Sequence, residues 1–190
     1  MSPRILSAIN RLRNGRPSAG QEIYNRGSLG HVTAPEPAIP IPATRTNGVI
    51  RAQVLHVNKL LISELLSHAL ESDPDECCGF LFGKDGVATE VRRMDNVHDD
   101  KQTRFFMDYR EVEKVQRDAD ALGQDLLAIY HSHTYTHGYP SETDIETAVE
   151  TGWVPHYYVV ISLVEKTRPV VRAFWITEDA AVSEVFLETG

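Results

Sequence analysis

The chain has 190 residues, of which 42% are hydrophobic and 24% charged, and its formal net charge is −8. These values fit one globular domain with or without a tail, exclude a disordered or fibrous protein, and argue against nucleic acid as the main partner. No run approaches the roughly 18 apolar residues of a membrane helix, so we expect no membrane partner and no secretory signal, and the two adjacent cysteines favour a reducing, cytoplasmic location.

The charge is divided unevenly along the chain. Residues 1–50 carry a balance of +4, whereas residues 51–190 carry a balance of −12. Between them, residues 33–46 (TAPEPAIPIPATRT) include four prolines, which favour extended backbone and exclude a helix or an inner strand. We therefore expect residues 1–48 to be a mobile, basic, proline-rich extension and linker, and residues 49–190 to form the folded domain. The alternatives for the extension are a segment that docks on an acidic partner or on the acidic domain itself, and a cleaved transit peptide.

Helical and extended patterns alternate through the domain. Apolar residues at helical spacing predict helices at 58–70, at 109–122 and around Ile145, and Asp73 and Pro74 end the first of them. Short apolar or alternating runs predict strands at 77–82, 87–96, 103–108, 126–130, 156–164, 170–176 and 182–187. Because these elements lack the regular rhythm of a parallel sheet, we expect an α/β or α+β fold with helices on a mixed sheet.

The candidate chemistry lies where the predicted strand 126–130 runs into His131-Ser132-His133. Side chains two apart on a strand point the same way, so both imidazoles can reach one point in space. Asp144 follows eleven residues after the second histidine. Two histidines and a carboxylate can hold a zinc ion and leave the fourth tetrahedral position open for water, as catalytic zinc sites do.

Two further residues complete the predicted site. Bound zinc lowers the pKa of its water to about 7, and Glu76 offers a carboxylate that could take the proton. Ser141 completes the pattern H-x-H-x7-S-x2-D with the histidines and Asp144.

Each of these residues also fits a structural role. An isolated H-x-H pair is more often chance or an exposed strand edge than a metal site. Ser141 with an acid three residues later is also a good capping box for the helix around Ile145, and Glu76 could be a surface acid in a turn. We expect Cys77 and Cys78 to be small buried residues. Structural or solvent-facing roles are the default for the remaining histidines, namely His56, His68, His98, His137 and His156.

Taken together, these residues resemble those of a known family. The sequence reads Pro74-x-Glu76-x-Cys78-Gly79-x-Leu81-x-Gly83, and 55 residues after the glutamate comes the H-x-H-x7-S-x2-D pattern. This combination looks like the JAMM (MPN-plus) metalloproteases, and the resemblance spans residues 52–190.

Membership would imply an MPN fold, with a curved mixed sheet flanked by helices, and a zinc-dependent peptidase. Carried over, His131, His133 and Asp144 would bind one Zn²⁺ per chain with water as the fourth ligand. Glu76 would be the general base, and Ser141 would hydrogen-bond the oxyanion of the tetrahedral intermediate.

Residues 130–145 (YHSHTYTHGYPSETDI) are most similar to small bacterial members of the Mec type. Those enzymes release cysteine from the C-terminus of a ubiquitin-like sulfur-carrier protein during cysteine synthesis. The resemblance therefore implies hydrolysis of the amide bond after the C-terminal Gly-Gly of such a carrier, and it leaves open a homodimer.

Three rival functions share the pattern in whole or in part. An isopeptidase that removes ubiquitin-like proteins from lysines would use the same residues. A DNA-linked relative of the RadC type has a similar histidine motif, but the −12 domain suits phosphate backbones poorly. A non-catalytic MPN scaffold usually lacks part of the ligand set and should purify without stoichiometric zinc.

Overall fold

The computed structural model describes residues 43–46, 49–52 and 54–190. The strands are β1 (Ala43–Thr46), β2 (Val49–Ala52), β3 (Val54–Val57), β4 (Cys78–Lys84), β5 (Val87–Met94), β6 (Asp125–His133), β7 (His156–Ser162), β8 (Val170–Ile176) and β9 (Val182–Glu188). The helices are α1 (Lys59–Ser72), α2 (Tyr109–Ala121) and α3 (Glu142–Thr151). None of the helices in this described part is long and apolar enough to cross a membrane.

Seven of the strands form one closed, mixed sheet in the order β3-β5-β4-β6-β7-β8-β9. Strand β3 runs parallel to both β5 and β9 and so closes the sheet. Strand β6 lies between β4, which is antiparallel to it, and β7, which is parallel. The predicted fold of helices on a mixed sheet is confirmed.

Alternate residues of the central strands supply two apolar clusters on opposite faces of the sheet. Phe80 and Ile129 belong to the cluster that also contains the apolar residues of α2 and Ala148 of α3. Leu81 and Tyr130 belong to the other cluster, which contains the buried stripe of α1. This period of two is what strands covered on both faces require.

Helix α1 begins and ends where the sequence predicts. The side chain of Asn58 accepts a hydrogen bond from the Leu61 amide and caps the helix, and Asp73 is its C-terminal cap. Its buried residues, Leu61, Leu65 and Ala69, are one stripe at helical spacing.

Two differences from the predicted elements have physical reasons. The predicted strand at 103–108 is wrong: this segment is irregular, because the Asn96 side chain takes the Phe106 amide and the Arg104 carbonyl that a strand partner would use. Residues 43–46, predicted to be linker, form β1 and pair antiparallel with β2. They contain no proline, so their amides can join a ladder. Residues 1–42 of the predicted extension lie outside the described residues.

Candidate metal centre

Strand β6 delivers the two histidines to one point. Its side chains alternate, so His131 and His133 continue the face of Ile129, while Ser132 turns away and accepts a hydrogen bond from the Cys77 amide. The two Nε2 atoms lie 3.0 Å apart. His131 is fully buried and His133 nearly so. Both imidazoles therefore meet at one point, as their spacing on a strand requires.

Asp144 reaches the same point from the first turn of α3. Its Oδ2 lies 3.3 Å from Nε2 of His131 and 3.3 Å from Nε2 of His133. Zinc–ligand bonds of about 2.0–2.1 Å in a tetrahedron hold neighbouring ligand atoms about 3.3–3.4 Å apart. The two distances to Asp144 match the edges of such a coordination polyhedron, and the distance of 3.0 Å between the two nitrogens is shorter. The two-nitrogen, one-oxygen set suits zinc.

The backbone of the following loop orients His133. Its Nδ1 lies 3.0 Å from the carbonyl oxygen of His137 and 3.0 Å from Oγ1 of Thr136. A proton on Nδ1 can be donated to that carbonyl, and the lone pair of Nε2 then faces Asp144 and His131. This is the usual way in which the outer partner of a ligand histidine fixes its tautomer. The side chain of His137 itself is exposed, as predicted.

His131 is held by stacking. The ring of Phe105 lies against it with centroids 4.6 Å apart and planes inclined by 23°. Among the described residues, Nδ1 of His131 is a buried nitrogen with no hydrogen-bond partner.

The charges of the three residues depend on one another. Burial alone would raise the pKa of Asp144, but the two histidines and their hydrogen bonds hold it well below its usual range. Burial lowers the pKa of His131, so this ring favours its neutral form. Burial also lowers the pKa of His133, but Asp144 and the His137 carbonyl outweigh burial, so the pKa of His133 is raised. An ionised carboxylate beside a neutral imidazole is the form that binds a cation.

Glu76 is a buried acid rather than a surface one, with 6% of the residue exposed. Cys78 lies opposite His131 in the β4–β6 ladder, and the amide of Ser132 donates to the Cys77 carbonyl. In this antiparallel register Cys77 is level with Ser132, and one residue further along Glu76 is level with His133. Burial, as the main cause, raises the pKa of Glu76 to about 8, with Asp144 adding to the rise and His133 opposing it. A buried acid with a strongly shifted pKa beside ligand residues is typical of catalytic acids and bases.

Ser141 is the N-terminal cap of α3, and both halves of the predicted capping box are present. Its hydroxyl and its amide each donate to Oδ2 of Asp144 over 2.7 Å. In the described arrangement Ser141 therefore fixes the carboxylate that faces the histidines. Its predicted oxyanion contact stays a prediction, because that contact needs the hydroxyl to leave Asp144.

An apolar cleft opens beside Asp144. Its walls come from the irregular segment after β5 and from α3 and the residues that follow it: Phe105, Phe106, Met107, Thr147, Ala148 and Trp153. An apolar surface with one polar edge is a common composition for a binding site.

Sequence reasoning did not identify several residues around this centre. Asn96, Phe105 and Thr136 contact the site or its supports. Asn96 carries the one recoverable signal, because an asparagine at the end of a predicted strand often bonds nearby backbone. No local pattern reveals the stacking of Phe105 on His131.

The chain matches known proteins over the part that contains these residues. The family model described as prokaryotic homologs of the JAB domain matches residues 58–177. The "CysO-cysteine peptidase" of Mycobacterium tuberculosis is 32% identical over 132 residues, which are 69% of this chain and 88% of that protein. The "Probable TtuB-protein conjugate cleaving protease" of Thermus thermophilus is 34% identical over 135 residues, which are 70% of this chain and 84% of that protein.

A solved structure agrees with the fold. The solution structure of protein DSY2949 from Desulfitobacterium hafniense superposes with a TM-score of 0.63 at 31% sequence identity. The superposition covers 73% of this chain and 93% of that one.

Proposed function

Because this chain belongs to the prokaryotic JAB domain family, we propose that it is a zinc-dependent hydrolase that cuts the amide bond after the C-terminal Gly-Gly of a ubiquitin-like protein. The observation that carries the proposal is the meeting of His131, His133 and Asp144, whose ligand atoms lie 3.0–3.3 Å apart. These three side chains would hold one zinc ion per chain, with water as the fourth ligand.

When bound, zinc would polarise the scissile carbonyl and supply a water acidic enough to be a nucleophile near neutral pH. Glu76 would be the group that takes a proton from the attacking water and passes it to the leaving amine. Burial raises the pKa of Glu76 to about 8 in the absence of a cation. The positive charge of a bound metal would lower that pKa, so the ionised form that can accept a proton would be available near neutral pH.

We propose that Ser141 changes partner during the reaction. Once a cation neutralises Asp144, the Ser141 hydroxyl is less strongly held and can donate to the oxyanion that forms on the substrate carbonyl. The Ser141 amide keeps its own bond to Asp144 and so preserves the start of α3.

A ubiquitin-like tail suits the geometry. Glycines lack side chains, so a Gly-Gly end can approach buried ligand atoms closely. The apolar cleft beside Asp144 would take a side chain on one side of the cut bond. The relative named CysO-cysteine peptidase favours a sulfur-carrier protein that ends in cysteine as the substrate, and thus a role in cysteine synthesis.

The second candidate is an isopeptidase that removes a ubiquitin-like protein from lysines of target proteins. The relative named as a TtuB-protein conjugate cleaving protease favours it at similar identity. A non-catalytic scaffold fits less well, because a scaffold has no use for a buried Glu76 beside a complete ligand set. A cytoplasmic location suits either enzyme, since Cys77 and Cys78 are free thiols in the structure.

Intact-mass spectrometry of two substrates tests the proposal. One is a ubiquitin-like sulfur carrier with cysteine after Gly-Gly, and the other is the same carrier linked to a lysine through an isopeptide bond. Chelator-sensitive loss of cysteine alone is the expected result. Cleavage of the isopeptide bond alone would make the second candidate correct, and cleavage of neither substrate by the zinc-loaded protein would contradict both.

A further inference from the structure

The side chain of Asn96 joins three parts of the chain around the metal centre. Its Nδ2 donates to the carbonyl oxygens of Glu76 and Arg104, each over 2.9 Å. Its Oδ1 accepts from the amides of His98 at 3.0 Å and Phe106 at 3.1 Å. The primary amide has two N–H donors and two acceptor lone pairs, so these four bonds use its full capacity. All donors meet carbonyls and all acceptors meet amides, which fixes the orientation of the amide group.

The first of these bonds holds the residue proposed as the base. The Glu76 carbonyl accepts from Asn96, and the Glu76 amide donates to the Lys101 carbonyl over 2.7 Å. Both backbone groups of Glu76 are thus tied to Asn96 and the segment that follows it. Because the backbone of Glu76 is held at both its amide and its carbonyl, the side chain of Glu76 starts from a defined position just before β4.

The other three bonds shape residues 97–106, which we call the 97–106 loop. The loop is closed at its base by the Val97 amide, which donates to the Phe106 carbonyl over 2.8 Å. Phe105 lies between the two residues that Asn96 holds, Arg104 and Phe106, and stacks on His131. Phe105 and Phe106 also line the cleft beside Asp144.

We propose that Asn96 is a positioning residue. Its side-chain amide holds both the backbone of Glu76 and the 97–106 loop in place beside the metal centre. This inference rests on the proposed function for its effect on turnover, but its effect on the loop can be measured without any substrate. The four hydrogen bonds of its side chain all go to backbone groups, so Asn96 acts through Glu76 and Phe105.

Two substitutions separate the parts of this role. Asn96→Ala removes all four bonds. Asn96→Asp keeps the acceptors for His98 and Phe106 but removes both donors and brings a carboxylate oxygen toward the Glu76 carbonyl. Asn58→Ala is the matched control, because it removes another asparagine side chain that bonds a backbone amide, at the start of α1. The Asn58→Ala substitution should destabilise the fold without changing the metal centre.

The test measures turnover and amide hydrogen exchange on the zinc-loaded full-length protein. We expect kcat to fall at least tenfold in Asn96→Ala and in Asn96→Asp, with zinc still stoichiometric, and to stay within twofold of the parent in Asn58→Ala. Exchange should accelerate across the 97–106 loop and at Glu76 in Asn96→Ala. In Asn96→Asp, the His98 and Phe106 amides should remain more protected than in Asn96→Ala.

Failure of the Asn96 proposal and failure of the proposed function would give different results. If both Asn96 variants lose stability as Asn58→Ala does but keep kcat within twofold, Asn96 is merely structural and the proposal is wrong. If the parent protein cuts neither substrate, the proposed function fails, and exchange alone decides the role of Asn96. Unchanged protection of the 97–106 loop in Asn96→Ala would then overturn it.

Discussion

Cys78 of β4 lies opposite His131 of β6 in the antiparallel ladder. This single pairing joins two parts of the motif that are 53 residues apart in the sequence. It brings Glu76 to the same end of the sheet as His133, and the first turn of α3 adds Asp144 from the other side. The site is therefore a product of strand register, and a change that shifts this register should disable it even where every functional residue is retained.

Glu76→Gln should separate metal binding from turnover. The amide is nearly isosteric and leaves the three proposed ligands untouched, so zinc should remain stoichiometric, while the loss of a proton acceptor should lower kcat about 10²-fold or more. Zinc content by elemental analysis and kcat by the mass-spectrometric assay check this result. Asp75→Asn is the control at the neighbouring residue, and it should keep both the zinc content and the kcat of the parent protein. A Glu76→Gln protein that turns over normally would exclude Glu76 as the base.

Thr147→Phe should weaken substrate binding if the cleft beside Asp144 takes an apolar part of the substrate. Thr147 is exposed on α3 and lines that cleft, so a phenyl ring there fills the space without disturbing the core. We expect KM to rise about tenfold, which corresponds to about 1.4 kcal/mol, with kcat little changed. Glu146→Phe adds the same ring one residue away. An equal rise in KM for both variants would argue against binding of the substrate in the cleft.

Gly79→Ala should destabilise the sheet strongly. A Cβ at this position would lie 2.3 Å from the Arg92 carbonyl oxygen and 2.7 Å from the Tyr130 hydroxyl. The neighbouring strands cannot move apart without breaking ladder bonds, so we expect a loss of about 3 kcal/mol in the free energy of unfolding. Gly138→Ala is the control, since its Cβ would come no closer than 3.5 Å to Ser162. Urea denaturation measures both, and equal midpoints would contradict the close approach at Gly79.

His68 should make stability depend on pH. Its Nδ1 lies 2.7 Å from the Tyr130 hydroxyl, and burial raises the pKa of that tyrosine, so the hydroxyl stays protonated and donates. Burial, and then Arg93, lower the pKa of His68, while Glu71 and Asp95 oppose the change. A histidine pKa that is lower in the folded state favours folding above the unfolded pKa of about 6.5, and this contribution is lost as the pH falls through that range.

His68→Gln removes the titration but can still accept from Tyr130. The variant should therefore lose less Tm than the parent between about pH 7.5 and pH 5.5, where the histidine titrates. Thermal melts of both proteins in the same metal state check this. Identical slopes against pH would show that the pKa of His68 does not differ between the folded and the unfolded protein.

Local patterns were enough to predict most of the elements. The apolar stripe of α1 with its Asn58 cap, the alternating faces of β6 and the capping box at Ser141 are each encoded within a few residues. The pair His131 and His133 could be assigned to one point because a strand has a period of two. The partner of that pair, Asp144, was expected from a resemblance and from ligand chemistry.

Long-range packing explains what local patterns missed. The segment 103–108 has the residues of a strand, but Asn96 satisfies its backbone, so it forms no ladder. The depth of Glu76 follows from the β4–β6 register and the overlying 97–106 loop, neither of which can be read from nearby residues. The predicted division at residue 48 stays a prediction, and removal of residues 1–48 followed by assays of activity and carrier binding would test whether the basic extension takes part.

The most direct test of a metal-dependent site is zinc content and turnover measured together in the parent protein, Asp144→Ala and Glu146→Ala. Both acids lie on α3, but only Asp144 faces the two histidines. We predict one zinc per chain and chelator-sensitive cleavage in the parent and in Glu146→Ala, and neither property in Asp144→Ala. Cleavage by Asp144→Ala, or by the parent protein after complete removal of metal, would contradict the account.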